Sequence, residues 1–117
     1  MFDWFKKQQP AGPDFSALDS QEKVEAAARR GDLVPMLLMP EVFGGPSGGP
    51  NVVFVPAWAA EKKHRLDMET IVPLAQAGKI SRYSAQPGYK GSSFVPASIT
   101  VRAHDPSDFV TTIDIWS

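Results

Sequence analysis

Near its C-terminus the chain alternates apolar and polar residues with a strict period of two, and no helix can satisfy that pattern. In SITVRA, Ile99, Val101 and Ala103 take every second place, with Ser98, Thr100 and Arg102 between them. In DFVTTIDIW the same face carries Phe109, Thr111, Ile113 and Ile115. Successive side chains point to opposite sides only on a strand, so both runs are strands that each bury one face. Asp105-Pro106-Ser107 is a turn, and so short a connection makes the two strands an antiparallel pair. A third strand is expected around Ile80, Arg82 and Ser84, which alternate with Lys79, Ser81, Tyr83 and Ala85, and Pro87-Gly88 should end it in a turn.

Upstream, proline and glycine cut the chain into short pieces. LVPMLLMP (33–40) and NVVFVP (51–56) are apolar runs of strand length. Between them, EVFGGPSGGP (41–50) holds four glycines and two prolines and reads as a flexible surface loop. Residues 19–31 carry helix signals: a capping box from Asp19 and Glu22, a small stripe of Val24, Ala27 and Ala28, and Arg29-Arg30-Gly31 at the end. ETIVPLAQAGK (69–79) suits a second helix, with Thr70 near its start, Pro73 in its first turn and Gly78 as its stop. AWAAEKKHR (57–65) fits either a helical turn or the continuation of a hairpin. The expected fold is therefore α+β: a mainly antiparallel sheet of about five strands with two helices packed on one face.

At 117 residues, 43% of them apolar, the chain fits one domain. Residues 1–15 read as an N-terminal arm and 16–117 as the single domain, with Phe2, Trp4 and Phe5 beside Lys6 and Lys7 packing back onto it rather than entering a membrane. No apolar run is long enough to cross a bilayer. The absence of cysteine removes disulfides, thiol nucleophiles and iron–sulfur ligands, and fits a cytoplasmic setting. The net charge of −1 offers no general attraction to nucleic acid. Residues 59–100, however, carry six basic and three acidic side chains, a local +3.

Three features invite a chemical reading. Gly45-Pro46-Ser47-Gly48-Gly49-Pro50 looks like the serine-nucleophile motif of chymotrypsin-like proteases, with Pro46 where that family has an acid. No histidine precedes Ser47 to act as its base, and 117 residues cannot house the hydrolase fold that would place one after it. Ser47 therefore reads as a turn residue. The string FVPA occurs twice, at 54–57 and 94–97, and His64 and His104 each follow ten residues after the Phe of their own copy. The repeat is expected to be packing, with Phe54 and Phe94 filling one core, rather than a duplicated two-histidine site. The histidines with Asp67 or Asp108 are the weak catalytic candidates. No metal-binding spacing is present and no cofactor is expected.

The stronger candidate is a binding surface. Trp58, His64, Arg82, Tyr83, Tyr89 and Lys90 mix aromatic rings with basic heads, the side-chain types that anchor partners. These residues and the 41–50 loop suggest a small non-catalytic binding protein that takes a protein partner or self-associates. A small anionic ligand is compatible with the same surface. The alternatives are a small hydrolase or isomerase using His64 or His104 on an anionic substrate, and a nucleic-acid-binding accessory protein using the basic stretch.

Overall fold

The computed structural model describes residues 14–117. Phe2, Trp4, Phe5 and the rest of the expected arm up to residue 13 lie outside the described residues. Within them the order is α1 (Gln21–Arg29), β1 (Val34–Leu37), β2 (Val52–Val55), α2 (Ala57–Leu66), α3 (Val72–Gln76), β3 (Arg82–Gly88), β4 (Ser98–His104) and β5 (Asp108–Asp114). The class is α+β, with five antiparallel strands and two helical stretches packed nearby.

The strands form two sheets rather than one. β1 pairs with β2 in a hairpin, Val34 facing Val55 and Leu37 facing Val52, while β3, β4 and β5 form a meander in sequence order. Proline explains where pairing stops. Pro35 lies inside β1 and Pro87 inside β3, and each of these strands has a single neighbour. A residue without an N–H is tolerated at such an edge, because no second strand needs its donor. β3 also runs through Pro87-Gly88, where a turn was expected. Gly88 pairs with Ser98, and a Cβ on Gly88 would lie 2.8 Å from the Ser98 hydroxyl.

α1 begins one residue later than the Asp19–Glu22 box implies. Ser20 is extended at φ −152° and its Oγ accepts from the Lys23 backbone N–H at 3.2 Å, so Ser20 is the N-cap. Asp19 instead meets the Lys23 ammonium on the exposed face. Gly31, at φ +87°, turns the chain out of the helix as expected.

The second helical stretch starts at Ala57, well before the Thr70 region. AWAAEKKHR is thus helical and follows β2 directly through Pro56. Asp67–Ile71 forms a single π turn joining α2 to α3, in which the Val72 N–H reaches back five residues to the Asp67 carbonyl. Pro73 follows after Val72. In an unbroken α-helix its ring would press on the Glu69 carbonyl, and a widened turn at that point makes room for it.

The core lies where these elements meet. Leu33, Val53, Val55, Ala59 and Ile71 pack against Ile99, Val101, Ala103, Ile113 and Ile115, all buried. The predicted alternation of β4 and β5 therefore sets the inner face of the meander. Each valine, leucine or isoleucine among them contributes roughly 1.5–3 kcal/mol by leaving water. Phe15 and Trp116 close the molecule edge to face, ring centres 6.2 Å apart, and the Trp116 indole donates to the Val95 carbonyl at 3.1 Å. No helix among the described residues is long and apolar enough to cross a membrane.

Candidate functional site

Both copies of FVPA take part in the core chiefly through their valines and prolines, with Phe54 packed against the core's edge and Phe94 outside it. Val55, Pro56, Val95 and Pro96 are buried, Phe54 is half-buried, and Phe94 is 47% exposed. The expectation that Phe54 and Phe94 fill one core is therefore corrected. In β2 the period of two sends Val53 and Val55 inward and turns Phe54 to the other face. At the second copy the chain is held on both sides of Phe94. Ser93 is buried, its hydroxyl donating to the Phe15 carbonyl at 2.8 Å and accepting from the Val95 N–H at 3.0 Å. The Phe94 N–H itself donates to the Leu18 carbonyl at 2.8 Å. With its backbone anchored and Val95 inside, the Phe94 ring has nowhere to go but outward.

The two rings meet Tyr89 along one groove of about 680 Å³, whose other walls include Val24 of α1, Gly48 and Gly49 of the glycine loop and Ser92. Tyr89 is 51% exposed. A large exposed ring on fixed backbone is the informative kind of surface apolar residue, because folding alone does not require it.

The glycine loop is anchored rather than free. Asn51 accepts from the Met39 N–H at 2.8 Å and donates to the carbonyls of Met39 (3.0 Å) and Pro46 (2.8 Å), tying the start and the middle of the loop to one side chain at its far end. Gly45 passes so close to the Met39 carbonyl that a Cβ there would overlap it. Ser47 sits exposed in this loop, whose Gly48 and Gly49 line the groove.

A second constellation was not anticipated. Lys63 and Asp67 are each only 2% exposed, and the Lys63 ammonium donates to Asp67 Oδ2 at 2.7 Å and to the Tyr83 hydroxyl at 3.0 Å. The Tyr83 hydroxyl donates to Asp67 Oδ1 at 2.7 Å, closing a three-membered ring of hydrogen bonds, with the Leu38 carbonyl 3.3 Å away. The Tyr83 ring packs on Phe43, and the ammonium lies 5.5 Å from its centre. Burial pushes the Lys63 ammonium below its ordinary value despite the opposing pull of Asp67. Burial, then the adjacent carboxylate, push the Tyr83 phenol far up, so it stays protonated. The sequence signal was the i, i+4 spacing of Lys63 and Asp67, which becomes a pair only once 57–67 is helical.

Lys63, Asp67 and His64 border a cavity of about 380 Å³ whose other walls include Met36, Val42 and Met68. His104 stands elsewhere, at the end of β4 opposite Arg82, its Nδ1 3.3 Å from Asp105. Asp108 pairs with Arg102, and Arg82 with Asp105, both on exposed faces. The expected binding residues are thus divided. Tyr89 lines the groove with exposed Lys90 next to it, Trp58 and His64 are exposed on α2, Arg82 is exposed on β3, and Tyr83 belongs to the buried ring. Among the described residues no group of three or more histidine and acidic side chains could hold a metal ion. Comparison of the chain with models of protein families, with curated proteins and with solved structures finds no match.

Proposed function

We propose that the protein is a non-catalytic binding module whose groove between Phe54, Tyr89 and Phe94 takes an extended segment of a partner protein. The observation that carries this reading is the exposure of Phe94 on a backbone anchored at Ser93, Phe94 and Val95. The groove falls within the size range of specific ligand sites, and its rings offer rigid apolar faces of the kind that grip proline or aliphatic side chains. Gly48 and Gly49 leave backbone open along one wall for main-chain hydrogen bonds to such a segment. Lys90, exposed beside Tyr89, complements an acidic residue next to the apolar anchor. A proline-containing or aliphatic stretch flanked by aspartate or glutamate is the chemistry that fits.

Selection of random twelve-residue peptides on immobilised protein tests the proposal. The expected result is enrichment of apolar, acid-flanked peptides whose affinity falls at least tenfold in Phe94→Ala and in Tyr89→Ala, about 1.4 kcal/mol or more. The same peptides should bind Trp58→Ala as they bind the wild type. Failure to enrich peptides, or enrichment of peptides indifferent to Phe94 and Tyr89, overturns it.

A further inference from the structure

The groove makes no use of Lys63, and a buried lysine on a cavity wall has its own chemistry. An amine reacts with a carbonyl only when it is neutral, can reach the carbon, and has a group beside it to carry protons. Three observations meet at Lys63. The side chain borders the 380 Å³ cavity, whose lining by Pro35, Met36, Val42, Ala60 and Met68 suits a short aliphatic chain. Asp67 sits 2.7 Å from the amine and borders the same cavity, so it can take and return a proton. Among the described residues the ammonium meets two acceptors, Asp67 and Tyr83, which leaves one of its three N–H bonds without one.

We propose that Lys63 is a carbonyl-reactive amine that forms a Schiff base with a short aliphatic aldehyde in this cavity. Asp67 takes a proton from the ammonium, and the neutral amine attacks the carbonyl carbon. The carbonyl oxygen receives the proton from Asp67, giving a carbinolamine with a protonated nitrogen. Asp67 then removes one nitrogen proton and passes it to the hydroxyl, which leaves as water, and the protonated imine remains. One C–N bond forms, the carbonyl C–O bond is lost to water, and nothing is oxidised or reduced. Tyr83 keeps its proton throughout and holds Asp67 through the 2.7 Å hydrogen bond. Burial of Lys63, which lowers its proton affinity, favours the first step.

The test is reductive trapping of the full chain with butanal and sodium cyanoborohydride at pH 7, with the modified lysines located by peptide mass spectrometry. Lys62, Lys79 and Lys90 are exposed and serve as internal references. Lys63 is expected to gain the butyl group at least ten times faster than any of the three. Lys63→Met should lose this fast modification while Lys62, Lys79 and Lys90 react as before. Modification of Lys63 at or below the rate of the exposed lysines overturns the proposal. Peptide binding in the groove is measured separately, so either reading can fail without the other.

Discussion

Single side chains decide the chemistry of this molecule, and the ring of Lys63, Asp67 and Tyr83 is where their effects are largest. Removing one member of a buried ion pair strands the other, so Asp67→Ala should lower stability by about 3–5 kcal/mol in urea unfolding. Lys63→Met with Asp67→Leu together should cost far less, because no charge is left buried. Tyr83→Phe removes one donor to a charged acceptor and should cost about 1.5–3 kcal/mol at pH 8. The pH dependence follows from the sign of the phenol shift. Its pKa in the fold lies above the ordinary value of 10.0, so the contribution is complete below pH 10 and is lost as the pH rises further. The gap between wild type and Tyr83→Phe should therefore narrow by about 1.4 kcal/mol per pH unit above 10, as read from denaturant melts at a series of pH values. Sequence reasoning placed Tyr83 on a binding surface because tyrosine beside arginine resembles an exposed anchor. On a strand, Arg82 and Tyr83 point to opposite faces, and which of them is buried depends on what covers the sheet.

Local elements were more legible than their ends. The α1 stripe and the β4–β5 pair occur where periodicity puts them, since burial of one face imposes a local repeat, and both short N-terminal strands occur where apolar runs bounded by proline put them. The start of α2 was undecided because Ala57–Arg65 alternates too little for a strand and has too few apolar residues for a clear stripe. Its place is set by Ala59 and Lys63, one turn apart and both buried, which only a core containing Asp67 makes acceptable. The 41–50 loop was expected to be flexible from its glycines, yet Asn51 fastens it. Asn51→Ala should therefore cost about 1.5–4.5 kcal/mol, three hydrogen bonds at typical net values, and should also loosen the groove wall. Gly45→Ala should be more damaging to the loop, since its new methyl collides with the Met39 carbonyl. Thermal melts give the stability cost, and hydrogen exchange across residues 39–51 shows whether the loop has opened.

At the scale of the whole molecule, contacts distant in sequence join the parts. Trp116 lies over Phe15 and bonds to Val95, while the N–H groups of Ile115 and Trp116 both reach the Ala97 carbonyl. The C-terminal turn thus braces the segment carrying Phe94, and Trp116→Ala should cost about 3–5 kcal/mol while weakening peptide binding in proportion to local loosening. Chemical denaturation measures the first and titration of a selected peptide the second. The sequence by itself determined the α+β class and the antiparallel pairing near the C-terminus, both of which rest on local periodicity. The tertiary structure alone decided that the strands split into two sheets, that the FVPA valines rather than the phenylalanines are buried, and that His64 and His104 stand apart. It also brought Lys63 and Asp67 to Tyr83, a residue sixteen positions beyond Asp67. A periodic pattern records which face of an element is covered, but not which other element covers it, and both the groove and the buried ring are made between elements.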